Sequence, residues 1–258
     1  MPKFVSPLLE LTEYREFETS INKRIGAVQL AGCIDTENIY IAANLAKGKK
    51  ALYITCNDIK AAEICEDACA FGVNGLVYPS KDLLFYESDV RGNYFDKQRM
   101  EIIRQLIVDD EVFAITSIES LMERVAPLHA VKHSSIIISS GDSIELDELE
   151  KHLVSMGYER YPQVDASGQF SVRGGIVDIY TLTEEMPVRI EFFGDEIDSI
   201  RSFDPETQRS LENIELVEIF PAGEITVPET QQVSLLDYFA EDALIFAEEP
   251  ARLLEKAR

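Results

Sequence analysis

Over the first 120 residues, short β-branched runs alternate with longer stretches of helical spacing. AVQLA (27–31), ALYIT (51–55), LVYP (76–79) and Val112–Ile115 each read as a buried strand, because apolar residues in unbroken succession suit a strand covered on both faces. Between them, Thr36–Lys47, Asp58–Phe71 and Phe95–Asp109 repeat apolar residues at helical intervals, as at Met100, Ile103, Leu106 and Ile107. Strands alternating with helices predict parallel pairing through right-handed crossovers. Such a sheet carries its functional loops at the carboxyl ends of its strands.

The pattern changes beyond residue 120. SIESLMERVAP predicts a helix stopped by Pro127, and HSSIIISS a strand. LDELEKHLVSMGY predicts a helix with Asp147 as its N-cap, Glu150 three residues on, and Gly157 closing it. Three strand-like segments follow: Gln169–Tyr180, Pro187–Phe193 and Glu196–Phe203. Gly194-Asp195 suits a two-residue hairpin connection, whereas Gly174-Gly175 inside the first segment suggests a bulge. From Leu211 onward a strand-like ELVEIF, a loop through Pro221 and Pro228, a short helix and ALIFAEEP return to the earlier style. The expected organisation is an α/β parallel-sheet domain over 1–120, an inserted α+β domain with an antiparallel sheet over 121–212, and a return to the α/β domain over 213–258. ARLLEKAR ends a helical pattern with no cap or stop, so more protein is expected beyond Arg258.

Composition narrows the function classes. At 46% hydrophobic and 28% charged the chain is globular rather than disordered. Its 47 acidic residues against 24 basic ones leave a net charge of -23. That field repels phosphate backbones, which disfavours nucleic acid as a direct partner. No apolar run is long enough to span a membrane and no export signal opens the chain, so a cytoplasmic protein without membrane contact is expected. Cys33, Cys56, Cys65 and Cys69 form no C-x-x-C pair and read as buried free thiols. His129 and His133 are spaced by four but lack a local third ligand, so no metal site is expected.

AGCIDTENI (31–39) occupies the place of a phosphate-binding loop. A functional loop of the form G-x-x-x-x-G-K-[ST] needs glycines that let backbone N–H groups wrap the phosphates, a lysine to neutralise them, and a hydroxyl for magnesium. Laid on Gly32, those positions become Glu37, Asn38 and Ile39: an acid, a neutral amide and a hydrocarbon. Near the other end, LIFAEEP places Glu248 and Glu249 where a magnesium-binding Asp-Glu pair would stand. Both sites therefore read as degenerate and non-functional, with no catalytic residue and no cofactor in this chain.

The segments FSVRGGIVDIY (170–180), PVRIEFFGDEI (187–197) and SIRSFDPETQRS (199–210) carry the most specific signal. They resemble the UvrB-like modules of bacterial nucleotide excision repair, and most nearly the N-terminal region of the transcription-repair coupling factors. The resemblance implies a helicase-like α/β domain with a degenerate P-loop, interrupted by a small α+β domain that docks UvrA, the damage-recognition ATPase. It places Arg173 at that interface and Val177 at a second contact position. Two family arginines are missing: one position is Ser171, and another aligns with Glu159, although Arg160 is adjacent. The physical pattern agrees with a protein partner. From Tyr158 to Ser210 there are five arginines (160, 173, 189, 201, 209) and no lysine. Arginine suits interfaces because its planar fork pairs with carboxylates and stacks on aromatics. Arg160, Arg189 and Arg201 join Arg173 as expected partner-binding residues; the competing reading is a solvated sheet face with cross-strand ion pairs.

UvrB also carries a long aromatic hairpin that probes DNA. Here the interval Tyr78–Asp96 is short, and Phe85, Tyr86, Tyr94 and Phe95 read as core or loop packing. The expected function is thus a protein-interaction module that recruits UvrA. In such a family ATP, magnesium, RNA polymerase and double-stranded DNA are handled by domains outside this chain, in an ATP-dependent translocase. The alternatives are a nucleotide-dependent helicase subunit and a structural or autoinhibitory scaffold that does not bind UvrA.

Overall fold

The computed structural model describes residues 8, 10–23, 26–34, 36–81, 92–239 and 241–258. In chain order the helices are α1 (Thr12–Asn22), α2 (Glu37–Leu45), α3 (Asp58–Ala70), α4 (Gly92–Val108), α5 (Ile118–Met122), α6 (Leu128–Ser134), α7 (Leu146–Ser155) and α8 (Pro250–Lys256). The strands are β1 (Lys50–Thr55), β2 (Gly75–Tyr78), β3 (Val112–Ser117), β4 (Arg124–Val125), β5 (Ile136–Ser139), β6 (Glu159–Arg160) and β7 (Gln169–Arg173). They continue with β8 (Ile176–Tyr180), β9 (Val188–Phe193), β10 (Glu196–Phe203), β11 (Ser210–Asn213), β12 (Leu216–Ile219), β13 (Val233–Ser234) and β14 (Leu244–Ala247). The chain divides into two compact units: residues 1–80, 108–123 and 239–258 form the first, and 81–107 with 124–238 the second.

The first unit is built on a four-stranded sheet in the order β14-β1-β3-β2, parallel throughout. Strands β1 and β3 are buried along nearly their whole length, as continuous apolar runs in a covered parallel sheet should be. Ile39, Ala42 and Ala43 of α2 and Ala61, Ile64 and Ala68 of α3 share one core with Ala51, Tyr53, Phe113 and Ile115 of the sheet. The alanines let helix backbones lie close to the strands. Helix α3 starts where the Asn57 side chain accepts the Lys60 N–H at 2.8 Å, an N-cap that satisfies one orphan donor.

One expected strand is absent. Residues 27–31 belong to no strand, and Val28 and Leu30 are each 41% exposed. A short apolar run becomes a strand only when a neighbour takes up its N–H and C=O groups, and sequence pattern does not supply the neighbour. The turn into α2 is therefore entered from irregular chain rather than from a strand.

The second unit contains a six-stranded sheet in the order β11-β10-β9-β8-β7-β6, antiparallel except for the β6–β7 pair. Two small antiparallel pairs, β12 with β5 and β13 with β4, accompany it. Helix α4 and strand β12, which the sequence pattern groups with the α/β part, lie in this unit. Arg99 of α4 is 2% exposed and ion-pairs with Glu224. Helix α7 buries Leu149 and Leu153 and closes at Gly157, whose φ of +89 allows the Tyr158 N–H to reach the Leu153 carbonyl at 3.0 Å.

Several local expectations are corrected. Gln169–Tyr180 is two strands, not one: Arg173 pairs with Ile176 across a Gly174-Gly175 hairpin turn, so the glycines make a reversal instead of a bulge. Gly174 has φ +61, and the turn fits glycine for that reason. The N-cap position of α7 is Glu145, without a side-chain cap bond, and Asp147 sits in the first turn, where its charge favours the helix dipole. Helix α5 ends at Met122, and Pro127 precedes helix α6 rather than stopping α5. The thiols are free, but Cys69 is exposed and the other three are half-buried. Phe85, Tyr86 and the Tyr94 side chain lie outside the described residues, and Phe95 is half-buried.

Candidate functional site

Alternation along the antiparallel strands sorts their side chains onto two faces. Val177, Ile179, Val188, Ile190, Ile197 and Ile200 are buried on one face. The register lines up two rows across the other face. Arg173, Ile176, Glu191 and Ser199 form one, and Ser171, Asp178, Arg189 and Arg201 form the next.

Asp178 lies at the centre of the second row and has no exposed surface. Arg189 donates from Nε to Asp178 Oδ1 at 2.6 Å and from Nη2 to Oδ2 at 2.9 Å, the bidentate fork that arginine offers a carboxylate. Arg189 also donates from Nη1 to the Gln208 carbonyl at 3.2 Å and lies 4.6 Å over the ring of buried Phe203. Hydrogen bonding to Asp178 holds this guanidinium above its ordinary pKa, against the opposing effect of burial. Arg173 donates from Nη2 to Asp178 Oδ2, and its side chain remains 46% exposed. Arg201 is 38% exposed and pairs loosely with Glu191 at 3.5 Å. A half-exposed pair of that geometry is worth under about 1 kcal/mol, so it yields readily to a partner.

The turn next to Arg173 is packed tightly. A Cβ on Gly175 would stand 3.0 Å from the Phe192 carbonyl oxygen, and the Phe192 N–H donates to the Gly175 carbonyl at 2.8 Å. Phe193, at the end of β9, is 81% exposed. By register it shares the face of Glu191, so an open aromatic ring stands on the same surface as Arg173.

The remaining expected partner residues divide. Arg160 is exposed and ion-pairs with Glu150. Val177 is 1% exposed and faces the core, so its side chain supports the sheet and presents nothing to a partner. Ser171 is also 1% exposed, and its hydroxyl donates to the Pro162 carbonyl at 3.1 Å. Asp178 and Phe203 were not singled out by sequence reasoning. The signal for Asp178 was present as one acid inside the apolar run IVDIY, since a lone carboxylate in a buried strand demands a cation.

The first unit holds the other expected corner. Gly32 has φ +85 and is exposed. The Ile34 N–H donates to Glu37 Oε2 at 3.0 Å. Asn38 Nδ2 donates to the Tyr53 hydroxyl at 3.1 Å and, at 3.4 Å, to Glu248 Oε1. The Thr55 hydroxyl donates to Glu248 Oε2 at 2.5 Å. Ile39 is 2% exposed and belongs to the core. Glu249 has φ +45 and leads into α8, pairing with Arg252 at 3.2 Å. The polar side chains at this end of the sheet are thus engaged with one another. Among the described residues no group of three or more His, Cys, Asp or Glu is arranged to hold a metal ion. No helix among them is long and apolar enough to cross a membrane.

Comparison with known proteins bears on both units. A family model described as the UvrB interaction domain matches residues 136–224, which include the six-stranded sheet. A transcription-repair-coupling factor of Bacillus subtilis (strain 168) is 33% identical over 222 residues, covering 84% of this chain and 19% of its own length. One from Staphylococcus haemolyticus (strain JCSC1435) is 35% identical over 190 residues, 72% of this chain and 16% of its own length. The chain therefore spans under a fifth of the length of these curated relatives. Residues 136–224 are a domain of the UvrB interaction family, and the chain across most of its length is a relative of one segment of the transcription-repair-coupling factors.

Proposed function

We propose that this chain is a protein-docking module of transcription-coupled DNA repair, and that the outer face of its six-stranded sheet binds UvrA. The observation that supports this reading is the arginine cluster around Asp178. A chain of net charge -23 gathers Arg173, Arg189 and Arg201 in two adjacent rows of one face, where the acids are Asp178 and Glu191; Glu159 and Glu196 lie further out on the same face. Arg173 and Arg201 keep guanidinium surface open to solvent. Planar cations beside an open aromatic ring are the composition of a protein interface, and a chain this acidic is a poor match for a phosphate backbone.

The reading assigns the first unit no nucleotide chemistry of its own, because Asn38, Thr55 and Glu248 are occupied with one another. ATP-driven translocation on duplex DNA and displacement of RNA polymerase belong, in this proposal, to parts of the relatives that this chain does not span. Isothermal titration of the chain with purified UvrA tests the docking assignment. Binding is expected, and Arg173→Glu is expected to abolish it; unchanged binding by that variant would remove the assigned face.

A further inference from the structure

The geometry points to Asp178 as the residue that sets the pose of Arg173, making it the positioning residue of the docking face; this rests on the docking reading above and deepens it. Three N–H groups from two arginines converge on this carboxylate: Arg189 Nε on Oδ1, and Arg189 Nη2 and Arg173 Nη2 both on Oδ2. Asp178 has no solvent contact, so its charge is shared with these guanidiniums and not with water.

The two arginines are held differently. Arg189 is satisfied within the sheet, by its fork on Asp178, the Gln208 carbonyl and the Phe203 ring. Its side chain is only 14% exposed. The Asp178–Arg189 pair is therefore neutral before Arg173 arrives. Arg173 is the third member, 46% exposed, and its direct cross-strand neighbour is the hydrocarbon Ile176. The bond to Asp178, two residue pairs further along the sheet and in the next row of the same face, fixes where its guanidinium points. An arginine that is unheld in the free protein loses rotamer freedom when it binds, and holding it beforehand removes that penalty. Because Arg173 adds a positive charge to an already neutral pair, the group it is posed to meet is a carboxylate of the partner.

Asp178→Asn tests this, since the amide keeps the size and one acceptor oxygen but removes the charge. Affinity for UvrA is measured by titration for the unmodified chain, Arg173→Ala, Asp178→Asn and the double variant, with circular dichroism and thermal unfolding reporting the fold. Each single variant is expected to weaken binding about tenfold, and the double variant to bind no more weakly than Arg173→Ala. Losses that multiply in the double variant, or full affinity in a folded Asp178→Asn, overturn the positioning role. Full affinity in Arg173→Ala overturns the docking reading instead. Nitrogen-15 NMR of the guanidinium groups needs no variant at Asp178. Arg173 is expected to give resolved Nη signals from slowed rotation, and signals averaged as in a free arginine overturn the proposal.

Discussion

Asp178 and Arg189 stand directly opposite each other on β8 and β9, and Arg189 closes a fork on both carboxylate oxygens at 2.6 and 2.9 Å. The pair lies in the interior of the sheet, where an ion pair contributes little net stability but losing Arg189 leaves the buried carboxylate with the half-exposed Arg173 alone. Arg189→Met is expected to cost about 3 kcal/mol, read as a lowered midpoint in urea. Asp178→Leu combined with Arg189→Met is expected to cost less than either change alone. A double variant as damaged as the sum of the two would show that the pair does not act as a unit.

The hairpin turn beside Arg173 depends on both of its glycines for different reasons. Gly174 needs its positive φ, so Gly174→Ala is expected to cost about 1 kcal/mol and Gly174→Asn less. Gly175 needs its missing side chain, because any Cβ meets the Phe192 carbonyl at 3.0 Å. Backbone cannot retreat as a flexible side chain can, so Gly175→Ala is expected to cost about 1–3 kcal/mol and to loosen the β8–β9 pairing. Thermal melts and amide exchange at Phe192 measure both effects; a Gly175→Ala protein with native exchange would contradict the close approach.

Rebuilding a phosphate loop in the first unit is expected to fail. Ile39 is a core residue, so Ile39→Thr buries a hydroxyl and is expected to cost about 1–3 kcal/mol. Asn38→Lys removes the amide that reaches Tyr53 and Glu248. The triple variant Glu37→Gly, Asn38→Lys, Ile39→Thr should melt earlier and gain no affinity for a fluorescent ATP analogue in magnesium. Tight binding by that variant would mean that these three positions alone had silenced a nucleotide site.

Stability should decline at alkaline pH. The Cys65 thiol is pushed up from 9.0 to about 11, chiefly by burial and then by neighbouring Cys69. Burial likewise raises Tyr53, Tyr158 and Tyr238 above their ordinary 10.0. Each group keeps its proton in the folded chain at a pH where the unfolded chain has lost it. The associated stability is therefore complete below pH 9, falls between 9 and 11 through Cys65, and continues to fall beyond 10 through the tyrosines. The melting temperature is expected to be insensitive to these groups up to pH 9 and to drop above it. Cys65→Ala should flatten the first part of that fall.

Where a residue's neighbours come from its own element, the sequence was legible. Helix α3 and strands β1 and β3 follow from apolar spacing, and the Gly194-Asp195 hairpin follows from its two-residue turn. Where the outcome depends on a distant partner, pattern alone was insufficient. AVQLA and ALYIT look alike, yet only the second has strands on both sides to take up its backbone. The Gly174-Gly175 turn shifts the alternation by one residue, a change of phase that the short segments on either side of it do not make evident. Val177 and Arg173 were both expected at the partner face, but strand parity puts Val177 in the core and leaves Arg173 outside.

The order β14-β1-β3-β2 also has a consequence for how the chain is made. β1, β2 and β3 leave the ribosome early, but the strand that covers the other edge of β1 begins only at Leu244. At about 5–20 residues per second the intervening polypeptide takes on the order of ten seconds to emerge. During that interval the outer edge of Lys50–Thr55 presents unsatisfied backbone groups to any other nascent strand. The residues translated in the meantime include the whole six-stranded sheet, whose hairpins close locally. Vectorial synthesis thus favours completion of the six-stranded sheet first, and makes the parallel sheet the slower step and the point of greatest exposure to misassembly.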